Sequence, residues 1–426
     1  MAATSRTIRI SPRLDRCSEW RASRSTRLHS VKTTGRAMAS PRTSIGRTST
    51  AESPGDRRVC GRRCNGAMSV EWDRIRRIVE LARTTPASAA DGREASTGLA
   101  ELDDCAVVPF ANGVDLVVGS DFVRGEGFYL FGPGLLGWKD VGYYLIAANA
   151  SDLAAMGATP TGVVVVFRVP TGMSMANHDA AMSGVFQACA EFGMPLLGGD
   201  SGGYTSSVLS AAAFGTCASG RALLRRNGKP GDAVYLSGDV GTAAAAVAWF
   251  LRGRKGGEEL DGDVEQSLLA AWRRPRPALD LGRLLTAEGL SACAIDTSDG
   301  LKAAARQLAE ASAADVVLTP DAVPVSSAAH RVAEAMGLDP LALAAGDSVD
   351  FRLLFTVPKD RTEALENAVD RAGLTVHRVG QITQTIGNPG AFLEIAGERA
   401  PVPGIEWDQS ERMTIDRMID EQGRGE

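Results

Sequence analysis

Hydrophobic positions along the chain fall into helical and strand-like runs only after residue 68. Over 69–84 (SVEWDRIRRIVELART), Ile75, Ile78, Val79 and Leu81 recur near helical spacing and predict an amphipathic helix. The short apolar run 114–118 predicts a strand that delivers Ser120 and Asp121 at its end. Residues 138–157, rich in alanine and other small residues, predict a buried helix. A strand at 163–169, a helix at 174–192 and a short strand at 195–197 follow, the last leading into Gly198-Gly199-Asp200. Another strand is predicted at 207–214. Past the charged, Gly- and Pro-containing stretch 220–232 (GRALLRRNGKPGD), strand and helix alternate. Strand 234–237 precedes a helix at 241–252, strand 292–295 a helix from near Gly300, and strand 351–357 a helix at 359–373. This order predicts a mixed α/β (α+β) chain of two domains, 68–219 and 220–410, with a polar tail at 411–426.

Composition adds an asymmetry. The 426 residues carry a net charge of −5, but residues 1–67 hold 15 Lys+Arg and 4 Asp+Glu, or +11. The remainder holds 46 − 15 = 31 Lys+Arg and 51 − 4 = 47 Asp+Glu, or −16. An acidic body argues against broad nucleic-acid binding, so neither nucleic acid nor membrane is expected as a partner. The first 67 residues are Arg- and Ser-rich, with no sustained apolar period, and are expected to stay disordered. A start nearer Met68 explains such a segment most simply; an organelle transit peptide or a basic interaction arm are the alternatives. Cys60 and Cys64 (CGRRC) have no second pair at zinc-ligand spacing. Seven cysteines are too sparse for a disulfide scaffold and fit a reducing, cytoplasmic setting. No apolar run reaches the ~20 residues of a membrane-spanning helix.

Several familiar chemistries find no support. Gly132, Gly134 and Gly137 form G-x-G-x-x-G, but Pro133 lies inside the loop and no β-branched strand leads into it. There is no Gly-Lys-Ser/Thr P-loop and no HExxH, and the four histidines are scattered. What remains is a set of acids at the edges of apolar or Gly-rich segments: Asp103-Asp104, Ser120-Asp121, Ser151-Asp152, Asp200, and Asp296 with Asp299. A carboxylate beside an apolar strand is costly to desolvate unless paired. Hard oxygen donors without His or Cys select Mg²⁺ over zinc, and Mg²⁺ implies phosphate chemistry. Each acid alone is equally a helix cap or a turn residue; IDTSDG in particular reads as a strand-to-helix cap. The glycines of GGDSGG let backbone N–H groups approach an anion, and Arg225 is a cation for the same phosphates or a solvated boundary charge.

Taken in order, these segments resemble the thiamine-monophosphate kinase family, within the ATP-binding superfamily that contains aminoimidazole-ribonucleotide synthetase. LDDCAVV, GSDFV, NASDLAAMGATP, LLGGDSGG, GRALLRRNGKPGD and IDTSDGL each resemble a family segment, from about residue 70 to about 410. The resemblance implies an aminoimidazole-ribonucleotide-synthetase-like fold, with an N-terminal sheet domain that dimerises and a C-terminal α/β domain. It implies Asp104, Ser120, Asp121, Asp152, Asp200, Asp296 and Asp299 as ligands of several Mg²⁺ ions, and Gly199, Asp200, Arg225 and Ser298 as ATP contacts. The implied reaction moves the γ-phosphate of ATP to thiamine monophosphate, with Tyr129, Asp350 and Trp407 on the acceptor side. Departures also fall there. Tyr129 stands near an expected His, Val349 replaces a Glu and Arg352 another acid in GDSVDFRLLF. Two other readings stay open: a related ATP-dependent enzyme with a different phosphorylated acceptor, and a non-catalytic nucleotide-binding homologue.

Overall fold

Alternation of buried and less buried positions builds the first of two sheets. The computed structural model describes residues 70–84, 97–99, 101–252 and 259–404. Helix α1 (Val70–Thr84) comes first, followed by strands β1 (Ala106–Ala111) and β2 (Val114–Val123). Helix α2 (Trp138–Ala155), strand β3 (Thr159–Pro170), helix α3 (Met175–Glu191) and strands β4 (Leu196–Tyr204) and β5 (Val208–Ala218) follow. The strand order is β1-β2-β5-β3-β4, antiparallel except for the parallel β3–β4 pair. On β5, Leu209, Ala211, Ala213, Gly215 and Cys217 are buried, while the residues alternating with them are only partly covered. The buried face lies under α2, and α3 packs on α2. That helix contact is unusually close: a methyl group at Gly142 would sit 2.0 Å from the Ala181 carbonyl oxygen, and one at Gly184 1.9 Å from that of Lys139.

The second sheet has its faces covered differently. It comprises β6 (Ala233–Leu236), β7 (Cys293–Asp296), β8 (Asp315–Leu318), β9 (Leu353–Val357), β10 (His377–Thr383), β11 (Ala391–Ile395) and β12 (Glu398–Pro401). Their order is β12-β11-β8-β10-β6-β9-β7. Every residue of β6, β7, β8 and β9 is buried, as expected of strands with both faces packed. Around them lie α4 (Thr242–Arg252), α5 (Gly262–Arg273), α6 (Leu279–Ala287), α7 (Leu301–Ser312), α8 (Ser327–Met336), α9 (Pro340–Ala345) and α10 (Thr362–Ala372). Edge strand β7 touches α2, so the helix on the first sheet also borders the second. Tyr144, Leu153, Trp272, Phe351 and Phe355 belong to one continuous core across that border.

The architecture is the mixed α/β one expected, and the predicted elements are present, with longer strands in the first sheet. Two differences bear on function. Strand β2 runs to Val123, so Ser120 and Asp121 lie within it and alternate across its faces. The GGDSGG segment, expected as a loop, is part of edge strand β4, paired with β3 from Val163↔Leu196 to Pro170↔Tyr204. Main-chain pairing overrides the turn preference of its glycines there. The G-x-G-x-x-G stretch follows a short 3₁₀ turn at Gly125–Gly127 rather than a strand, which removes the dinucleotide reading. Among the described residues no helix is long and apolar enough to cross a membrane.

Candidate functional site

Three acids distant in sequence converge where α2 meets the edge of the second sheet. Asp104 precedes β1, Asp152 lies near the end of α2, and Asp296 is the last residue of β7. One carboxylate oxygen from each lies within 4.8 Å of the others, and they form the only such group among the described residues. Each is delivered by a different element, which is why sequence spacing alone does not reveal the triad.

Electrostatics mark this as an anionic site held out of water. Burial, then Asp296, Asp121 and Asp104, push the Asp152 carboxyl well above the ordinary carboxylate range. Asp296 is raised to about 7, by burial and then Asp104, against hydrogen bonds that favour its charged form. Asp121 rises to about 6, through burial and then nearby Asp299. Asp103 rises to about 7, through burial and then Asp104, with Arg225 opposing. Buried carboxylates this close cannot all ionise unless cations join them.

The chain supplies one cation itself. Arg225 grips Asp104 through two hydrogen bonds, Nη2 to Oδ1 at 2.6 Å and Nε to Oδ2 at 3.2 Å. Its Nη1 donates to the Leu102 carbonyl and to Gln307 Oε1 of α7, and its backbone N–H to Asp103. The guanidinium expected to meet ATP phosphates is therefore engaged with a candidate metal ligand. Asp296 is held from two sides. Ser151 Oγ donates to its Oδ2 at 2.5 Å and Ser298 Oγ to its Oδ1 at 2.7 Å.

Asp299 sits in the turn that starts α7, and its neighbour shapes the site. Gly300 has φ +89°, and a methyl group there would lie 2.0 Å from the Gly346 carbonyl oxygen. This close approach brings residues 346–348 against the Asp299 turn. Asp347, which sequence reasoning missed, lies there. Burial and then Asp299 raise its carboxyl well above the usual range. Tyr129 is beside it, its phenol raised by burial and then by Asp347. The Tyr129 ring meets Trp272 edge-on at 5.5 Å. An acid flanked by Gly and Ser after an alanine-rich helix was the only available signal for Asp347.

Other predicted site residues lie elsewhere. Asp350 accepts hydrogen bonds from the backbone N–H groups of Gly241 and Ala243 and from Ser348, so it caps α4. Asp200 is exposed on β4, paired with Arg168 of β3. Gly199 is needed for strand pairing, since a methyl group there would lie 1.9 Å from the Val165 carbonyl oxygen. Ser120 is exposed on the face of β2 opposite Asp121. Trp407 lies outside the described residues.

The donor set suits a hard divalent cation. All three converging groups offer carboxylate oxygen. The adjacent Cys105 thiol is pushed well up, by burial and then Asp152, so it stays protonated and offers no soft thiolate ligand.

Residues 102–217 match the AIR synthase related protein N-terminal domain, and residues 229–387 its C-terminal domain. The thiamine-monophosphate kinase of Caulobacter vibrioides is 30% identical over 328 residues, which are 75% of this chain and 86% of that protein. The crystal structure of thiamine-monophosphate kinase from Stenotrophomonas maltophilia superposes with TM-score 0.60 at 28% identity, covering 77% of this chain and 96% of that one. A structure described as AaThiL complexed with AMPPCP and TMP shares the fold, with TM-score 0.62 at 22% identity, covering 77% and 95%. With both domains matched and a curated relative aligned over most of its length, the chain belongs to the thiamine-monophosphate kinase family.

Proposed function

We propose that the protein transfers the γ-phosphate of ATP to the phosphate of thiamine monophosphate, yielding thiamine diphosphate and ADP. An acceptor phosphate oxygen forms the new bond to the γ-phosphorus, and the bond to the β,γ-bridging oxygen breaks as ADP leaves. The observation that carries this reading is the oxygen-only triad Asp104–Asp152–Asp296 in a chain of this family. Those acids, with Asp121 and Asp299 beside them, are the residues that would hold Mg²⁺. Bound there, Mg²⁺ supplies the charge neutralisation that lets two phosphate groups meet. Arg225 keeps Asp104 in place, and Ser298 keeps Asp296 in place. No side-chain base is required, because the acceptor oxygen is already ionised at neutral pH. Asp347 and Tyr129 face the same region and supply its acceptor side.

The stretch 220–232 serves as the boundary between two domains, a reading supported by the turn Arg225–Asn227 that links β5 of one sheet to β6 of the other. The partly covered face of the first sheet carries Val118, Phe122, Val164, Val166 and Phe214. Its apolar character supports a homodimer joined through that face. The four described cysteines, Cys105, Cys189, Cys217 and Cys293, are free, which supports a reducing, cytoplasmic location.

The test is ADP release with ATP, Mg²⁺ and thiamine monophosphate. Turnover that depends on the acceptor, and that falls at least ~100-fold in Asp152→Asn while the variant stays folded, is expected for loss of a transition-state charge contact. No acceptor-dependent release by the wild type would end the kinase reading. ATP binding without turnover would favour a nucleotide-binding homologue.

A further inference from the structure

The acid triad needs more than proximity, since a metal ligand works only if its oxygens are aimed. Asp296 is aimed by two hydroxyls arriving from different elements. Ser298, two residues on, donates to Oδ1 through both its hydroxyl and its backbone N–H, at 2.7 and 3.3 Å. Ser151 reaches Oδ2 from α2, 145 residues away in the chain. A serine inside a helix ordinarily turns its hydroxyl back to the carbonyl one turn earlier. Here the hydroxyl leaves its own helix and crosses to the second sheet. Ser151 has no exposure at all, so its hydroxyl carries the full desolvation cost unless a partner is present. The approach is possible because Ala147, Ala148, Ala150, Ala154 and Ala155 keep this part of α2 narrow.

We propose that Ser151 is a positioning residue for the metal site, fixing Asp296 so that its remaining lone pairs face Asp104 and Asp152. The inference rests on the reading of that triad as a divalent-cation site. Ser151 itself touches neither substrate. With Ser298 still in place, loss of Ser151 leaves the carboxylate anchored at one oxygen and free to swing at the other. Hydrogen-bond partners of metal ligands typically set affinity by 10–100-fold.

The experiment measures Mn²⁺ binding by electron paramagnetic resonance, in the presence of a non-hydrolysable ATP analogue. Wild type is compared with Ser151→Ala and Ser151→Cys, which remove the strong donor while changing side-chain volume in opposite directions. Both variants are expected to bind Mn²⁺ about tenfold more weakly. Their metal-free melting temperatures are expected to fall by no more than a few degrees, so Mn²⁺ binding is read on folded protein. If either folded variant binds Mn²⁺ as the wild type does, the hydroxyl is not what positions Asp296 and the inference is overturned. Should Ser151→Ala not fold, Ser151→Cys alone decides in the same way. Binding is read without turnover, so a wild type that binds Mn²⁺ but ignores thiamine monophosphate would remove the kinase reading and leave this inference intact.

Discussion

Neutralising Asp152 is expected to lower activity and to raise the stability of the metal-free protein. Its carboxyl is raised by burial and by three neighbouring acids, so the folded state holds the proton more tightly than the unfolded chain does. The stabilising contribution is present below the unfolded value of 3.8 and is lost as pH rises through the folded value. Asp152→Asn carries no charge at any pH. In the metal-free protein, the variant should therefore melt above wild type at pH 8, by at least ~2 °C, with the gap closing toward pH 4. Melting curves in a chelator over that range check this. A variant that melts below wild type at pH 8 would mean that Asp152 is stabilised as an anion without any metal. Arg225 calls for the complementary measurement. With its donors engaged by Asp104, Leu102 and Gln307, Arg225→Met should weaken Mn²⁺ binding and lower the metal-free melting temperature together. A rise in the apparent KM for ATP alone would instead identify a phosphate contact.

At the level of elements, the sequence shows which segments are buried more clearly than where they end. Amphipathic α1 was legible because its period persists over several turns, and α2 because a long run rich in alanine and other small residues marks a buried helix. The strand character of GGDSGG was not, since glycines carry no side-chain pattern and their pairing with β3 is a tertiary fact. Asp121 was legible as an acid beside an apolar run, but its separation from Ser120 depended on β2 being five residues longer than the run. Asp350 was expected near the acceptor and is engaged at the start of α4, a use that only the fold reveals. The α2–α3 contact offers a test at this scale. Alanine is favoured over glycine inside a helix by about 1 kcal/mol. At Gly184 the added methyl would meet the Lys139 carbonyl oxygen at 1.9 Å. Overpacking of this kind costs about 1–3 kcal/mol, so collision outweighs propensity. Gly184→Ala should thus lower the urea midpoint; a raised midpoint would show that the two helices can move apart without cost.

For the whole molecule, the distribution of apolar surface bears on assembly. The first sheet is covered on one face by α2, and its other face shows valines and phenylalanines to solvent. Phe122 is 44% exposed and Phe110 62%. Antiparallel sheets commonly leave one face in water, but then that face is polar. Here Val118 and Phe122 of β2, Val164 and Val166 of β3 and Phe214 of β5 share it with Ser120 and Ser210, with Arg168 and Asp200 paired beside them. A second copy bringing the same face would bury these positions with two-fold symmetry and add no unpaired charge. Light scattering should therefore give twice the 44.7 kDa chain mass at micromolar concentration. Phe122→Asp places a charge on that apolar face, twice over in a symmetric dimer. It should shift the mass to that of one chain, while Asp104, Asp152 and Asp296 keep their positions on the other side of the sheet. Mn²⁺ binding retained by the monomeric variant would show that the triad is complete within one chain. A wild type that is monomeric at these concentrations would leave the apolar face without this explanation.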